Sequence, residues 1–329
     1  MKKIINQPSD VVNEMLQGMA TAHPELLERF SDSQVIHRKA DTPDVVGIVS
    51  GGGSGHEPSH AGFVGEGMLS AAVCGEVFTS PTPDQILTAI KASDNGKGVF
   101  LVIKNYTGDV MNFEMAQELA EAEGIETSSI VVNDDIAIED STFTAGKRGV
   151  AGTVLMHKII GYYAKEGKNL DELTEIANKV NDNLNTIGLA LTAATVPEVG
   201  KPGFDIEDDA FEYGIGIHGE PGYKREKIKP AKEMAKELVS QLKATYNWEA
   251  GDSFVVLVNS MGGTPLMELY IFWNDVQQLL ADDGIDVKWV KVGELMTSIE
   301  MQGLSLTLLK VEDNEWVDAL KAPVDVLAW

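Results

Sequence analysis

Residues 45–60 read VVGIVSGGGSGHEPSH. The first six are apolar and rich in β-branched Val and Ile, the composition of a strand buried on both faces. Four glycines in the next five positions break the run. A buried strand that ends in such a loop belongs to an open α/β sheet, and those sheets bind ligands beyond the carboxyl ends of their strands. Glycines there let the backbone approach a ligand and aim its N–H groups at oxygen atoms. A plain tight turn needs fewer of them, because each costs conformational entropy. The loop is not a nucleotide P-loop, since no Gly-Lys-Ser/Thr follows.

Outward from this stretch, GVFLVIKN at 98–105 and SSIVVND at 128–134 repeat the buried-strand composition. Between them Met111, Met115 and Leu119 recur at helical spacing, predicting a helix over residues 110–123. A polar loop over 134–152 leads to helices over 153–165 and 170–184. Strand, helix and strand in succession imply βαβ units. The expectation for residues 1–185 is therefore an α/β domain with a largely parallel sheet flanked by helices. Residues 186–197 are apolar and extended, and FEYGIGIH at 211–218 reads as a strand. A helix with Pro230 in its first turn spans 229–246. DSFVVLVNSMGGTP at 252–265 is strand then turn, a helix follows to Leu280, and strands occupy 287–293 and 304–311. Residues 186–329 should form a smaller α/β domain with a mixed sheet.

The 329 residues carry 51 Asp and Glu against 26 Lys and Arg, a net charge of −25. That balance speaks against nucleic acid or an anionic membrane as partner, because both attract basic faces. The hydrophobic share of 43% is that of a folded globular chain. Cys74 is the single cysteine, which excludes an internal disulfide and fits a reducing compartment. The first ten residues lack the apolar core of a secretory leader, and no apolar run approaches the ~18 residues of a membrane span. A cytoplasmic protein is expected.

Side chains able to do chemistry gather where strands end. KNYTGD at 104–109 brings Lys104 and Asp109 to the same sheet edge as the glycine loop. A lysine can hold a hydroxyl or carbonyl oxygen, and an aspartate can accept a hydroxyl proton. Asp109 also suits the N-cap of a helix starting at Val110, and the two roles are compatible. GIGIHGEPG at 214–222 contains G-x-G-x-x-G, yet no helix opens at its last glycine, so the dinucleotide reading fails. What remains is His218 at a strand end. His56 and His60 could form a metal pair, but no second cluster lies at ligand spacing and no metal is expected. His23, His37 and His157 read as surface or packing residues, and Met and aromatic residues at 266–273 as core or interface. GGTP at 262–265 is a strand-to-helix turn before it is an anion site. No G-x-S-x-G elbow occurs.

Taken together, GGGSGHEPSHAGFVGEGMLSAAVCGEVFTSP at 51–81, KNYTGD at 104–109 and GIGIHGEPG at 214–222 closely resemble the K subunit of dihydroxyacetone kinase, over essentially the full chain. The length is similar to the bacterial form that works with the phosphoenolpyruvate phosphotransferase system. The resemblance implies that His218 attacks the ketone carbon of dihydroxyacetone and holds it as a hemiaminal. It implies that Gly53, Ser54, Gly55, His56, Lys104 and Asp109 line the substrate, with Asp109 or His56 taking the hydroxyl proton. No cofactor is expected on this chain. ADP/ATP and Mg²⁺ would sit on a separate L subunit, recharged by a phosphohistidine-bearing M subunit, and the chain would be a homodimer. Single-chain ATP-dependent kinases of this type carry a further nucleotide domain that is not seen here. Some paralogues also capture dihydroxyacetone but act as transcriptional coactivators. A sensor needs His218 and no proton acceptor, so Asp109 with His56 and Lys104 favours the enzyme.

Overall fold

A computed structural model describes residues 2–31, 33–39, 44–138 and 144–329. Part of the polar loop expected over 134–152 thus lies outside the described residues.

The first half runs α1 (Val11–Ala22), β1 (Leu27–Arg29), β2 (Val35–Arg38), β3 (Gly47–Ser54), β4 (Ala71–Val77), α2 (Pro83–Ser93), β5 (Val99–Lys104), α3 (Thr107–Ala122), β6 (Thr127–Val132), α4 (Gly152–Lys165) and α5 (Leu170–Asp182). Its strands form one sheet in the order β1-β2-β4-β3-β5-β6. The β4–β3, β3–β5 and β5–β6 pairs are parallel, and β1 and β2 extend the edge antiparallel. β3 and β5 read as apolar runs because helices cover both faces. The chain leaves β3 toward β4 on one side and later reaches β5 on the other. That reversal at the end of β3 opens the crevice in which α/β sheets bind ligands.

The second half runs β7 (Leu184–Ala190), β8 (Ala210–Tyr213), β9 (Lys224–Lys227), α6 (Ala231–Tyr246), β10 (Ser253–Ser260), α7 (Leu266–Asp282), β11 (Asp286–Gly293), β12 (Gly303–Lys310) and α8 (Asn314–Lys321). The sheet order is β11-β10-β12-β7-β8-β9. β10 and β11 are parallel and the other pairs antiparallel, so this sheet is mixed.

The two halves share a core. Phe63 and Ile159 pack in one buried cluster with Met296, Trp316 and Leu320. Residues beyond α8 return to the first half, where Ala328 N–H donates to Gly62 O at 3.1 Å, while Trp329 stacks on Trp289 of β11. Among the described residues no helix is long and apolar enough to cross a membrane.

Three local expectations need correcting. β3 does not stop at Ser50 but continues through the glycines, because Gly51–Gly53 pair in register with Val73–Gly75 of β4. The strand expected over 211–218 ends at Tyr213, where Gly214 takes φ +78° and turns the chain away. α3 starts at Thr107 with Tyr106 as its N-cap, so Asp109 lies inside the first helical turn and does not cap it. β1, β2, β4, β9, α1, α2 and α8 fall outside the sequence expectations, most being short or sitting in glycine-rich sequence.

Candidate active site

β3 ends in the loop that carries His56, and β5 ends at Lys104 beside α3. Glycine is required here by close approach. A Cβ at Gly52 would collide with Lys104 Nζ, and one at Gly53 would lie 2.6 Å from the Thr79 nitrogen. The second half closes the loop from above: Ile299 N–H donates to Gly55 O at 2.8 Å and Thr297 N–H to His56 O at 3.2 Å. Thr297 O accepts from His56 Nδ1 at 2.7 Å, which fixes that ring.

His218 sits in the turn after β8. Arg148, paired with Asp135 at 2.7 Å, anchors this turn by donating to Gly214 O at 2.8 Å. Glu220, two residues on, is buried and accepts from His218 twice: from Nδ1 at 2.9 Å and from its backbone N–H. The His218 ring stands edge-on to Phe78 and Tyr106, with centroids 5.0 and 4.8 Å away. His56 stacks on the same Phe78.

His56 and His218 meet at Nε2–Nε2, 3.0 Å apart. Each ring already uses its Nδ1 as a donor, since carbonyl and carboxylate oxygens can only accept. Two bare Nε2 lone pairs repel, so a contact of this length holds one shared proton. Burial, then the charges of His218 and Lys104, hold His56 well below the usual histidine range. Burial would raise the Glu220 carboxyl, but the His218 charge and hydrogen bonds outweigh it and bring it down to about 2. Glu220 is thus the fixed counter-charge for His218.

Asp109, also buried, faces the same space. Ser80 Oγ donates to its Oδ1 at 2.5 Å, and Lys104 Nζ donates to its Oδ2 at 3.3 Å and to Gly51 O at 3.4 Å. Gly53, Phe78, Ser80, Thr107, Asp109 and His218 are among the residues lining one cavity of about 590 Å³. That volume is in the range of drug-sized ligand pockets.

Of the residues singled out from sequence, Gly53, His56, Lys104, Asp109 and His218 converge here. Ser54 and Gly55 take a supporting place behind the wall: the Ser54 hydroxyl donates to Gly75 O at 2.7 Å and the Gly55 N–H to the Glu57 carboxylate. His56 and His60 do not pair. His60 turns inward and its Nδ1 meets Nε2 of buried His157 at 2.8 Å. The GGTP turn satisfies its own groups, with Gly263 N–H on Met301 O and Gly262 N–H on Ser260 Oγ. Cys74 is buried, and burial pushes its thiol up to about 12, so it is no nucleophile. Glu220, Ser80, Phe78 and Thr297 were missed. Glu220 had a signal, its spacing of two from His218; Thr297 had none, being 241 residues from its partner.

Comparison with known proteins gives concordant results. The Dak1 domain profile matches residues 17–328. The chain is 58% identical over 328 residues to the PTS-dependent dihydroxyacetone kinase, dihydroxyacetone-binding subunit DhaK of Lactococcus lactis subsp. lactis, covering 100% of this chain and 99% of the relative. It is similar to the solved dihydroxyacetone kinase operon co-activator DhaQ, with TM-score 0.92, 44% identity and coverage of 98% and 99%. It is also similar to the dihydroxyacetone kinase of C. freundii, with TM-score 0.92 and 34% identity, covering 100% of this chain and 60% of that one.

Proposed function

The chain belongs to the Dak1 domain family, and from that membership we propose that it is the dihydroxyacetone-binding subunit of a split dihydroxyacetone kinase. In this reading His218 captures the ketone as a hemiaminal, and the phosphoryl group comes from ATP on a separate L subunit. The observation that carries it is the orientation of His218: Nδ1 held by Glu220, and Nε2 directed at the proton it shares with His56.

Capture begins with the shared Nε2 proton on His56. The free Nε2 pair of His218 attacks C2 of dihydroxyacetone, the C2–oxygen π bond opens, and the oxygen takes the proton from His56. The alkylated His218 ring is then a cation beside ionised Glu220, so no net charge is created in a buried site. A C2 hydroxyl has no carbonyl to attack, which excludes glycerol on chemical grounds. The tether holds the terminal hydroxyl still, and positioning is much of what phosphoryl transfer requires. Asp109 lines the cavity and takes the proton of that hydroxyl as its oxygen attacks phosphorus, while Ser80 and Lys104 keep the carboxylate oriented. ATP with Mg²⁺ on the partner supplies the phosphoryl group and neutralises charge on it. The reading includes recharging of that partner by a phosphohistidine M subunit, a homodimeric chain and a cytoplasmic location.

The experiment is reconstitution. The protein mixed with L subunit and a phosphoryl donor should convert [2-¹³C]dihydroxyacetone to its phosphate, and alone it should move the C2 resonance to a tetrahedral adduct. A carbonyl resonance that stays unchanged on saturation would refute the hemiaminal. The similarity to the DhaQ co-activator supports a second reading, a dihydroxyacetone sensor. Adduct formation without turnover alongside a competent L subunit would favour it.

A further inference from the structure

The outer face of α3 carries an apolar row. The helix buries Asp109, Phe113, Ala116 and Ala120. On the opposite side Met111, Met115 and Leu119 remain 59%, 51% and 42% exposed. They continue the i, i+4 row that starts at Thr107, a residue on the cavity rim. The row therefore runs from the cavity mouth outward for about 18 Å, at 1.5 Å per residue. Exposed Glu114 and Glu118 flank it.

We propose that this face docks the protein that carries the phosphoryl donor, a partner presenting an apolar groove rimmed by Lys or Arg. The inference rests on the split-kinase reading above and adds where the partner sits. Three observations select that occupant. The row is continuous with the rim, so a protein seated on it brings its own nucleotide over Asp109 and His218. The flanking carboxylates, on a chain of net charge −25, favour a basic rim on the partner. Two of the three anchors are methionines, whose flexible side chains suit a surface that is engaged and released. A donor that must leave to be recharged needs a small, reversible contact. The other apolar face, Leu266, Met267, Tyr270 and Ile271 on α7, belongs to the second half of the chain and adjoins a different cavity.

The test compares Met115→Lys with Met267→Lys as a control, since both positions are exposed and neither touches the site. Met115→Lys should leave dihydroxyacetone capture unchanged. It should weaken binding of purified L subunit, and raise the KM for L subunit, by about tenfold or more, as loss of an apolar anchor does. The kcat at saturating L subunit should change little, and Met267→Lys should leave L-subunit affinity unchanged. Unaltered L-subunit affinity in Met115→Lys would overturn the proposal, as would a change of oligomeric state confined to that variant, which would assign the face to a second copy. Wild-type protein that captures the triose but neither binds L subunit nor turns over would sink the split-kinase reading, and the docking face with it.

Discussion

Glu220 accepts from both the ring and the backbone N–H of His218, so neutralising it removes a restraint and a counter-charge together. Glu220→Gln should lower the hemiaminal fraction at fixed triose concentration, with turnover falling by up to about 10⁴-fold, the order seen when the carboxylate orienting a catalytic histidine is replaced. Glu220→Asp should recover part of that loss, and the ¹³C resonance of bound C2 measures both. Equal adduct in wild type and Glu220→Gln would deny the positioning role. Asp109 tests the other half of the chemistry. Asp109→Asn preserves the shape and the Ser80 contact but removes the base, so adduct should persist while kcat falls by roughly 10²–10⁴-fold. Concurrent loss of adduct would mean that Asp109 also shapes the capture site.

β3 shows how an element serves the site by lacking side chains. Gly52 leaves the space that the Lys104 ammonium occupies. In Gly52→Ala the Lys104 ammonium must leave Asp109, and a backbone at φ +157° must carry a Cβ. The expected result is lost turnover together with a lowered thermal midpoint, read by assay and calorimetry on one preparation. A fully active variant would show that the Lys104–Asp109 contact is dispensable. α3 carries a different lesson. Met111, Met115 and Leu119 indicate a helix correctly, yet their row faces outward, because the shorter Ala116 and Ala120 with Phe113 allow close packing on the sheet. Apolar periodicity reports a helix without saying which surface the helix serves.

At the level of the whole molecule, the first half holds a pair of buried histidines, His60 and His157, within its apolar core. Burial, then Lys104 and neighbouring histidine charges, keeps His60 well below the ordinary value, and burial with Lys104 brings His157 down to about 3. Above pH 6.5, the ordinary histidine value, folded and unfolded chains both leave these rings neutral. Below it the unfolded chain binds protons that the folded one refuses, so stability falls as pH drops from about 6.5 toward 3. Thermal unfolding between pH 7.5 and 4.5 should show that decline, and His157→Gln should make it shallower. A wild-type midpoint that rises on acidification would contradict the buried neutral pair.

How much of this was legible in sequence follows the range of each interaction. VVGIVS and GVFLVIKN announce buried strands because burial on both faces selects composition locally, and the glycine loop marks a ligand site because only glycine tolerates such close approach. The type of fold and the chemistry-bearing residues Lys104, Asp109, His56 and His218 could be named from these neighbourhoods and from the resemblance their motifs carry. The proton between His56 and His218 could not, because it depends on Thr297 and Glu220 fixing the far nitrogen of each ring, and Thr297 arrives from the other half of the chain. The pairing of His60 with His157, the place of Asp109 inside its helix and the exposed row of α3 needed the folded chain for the same reason. Hydrogen bonds and burial act between groups brought together in space, and residues hundreds of positions apart leave no local pattern of their meeting.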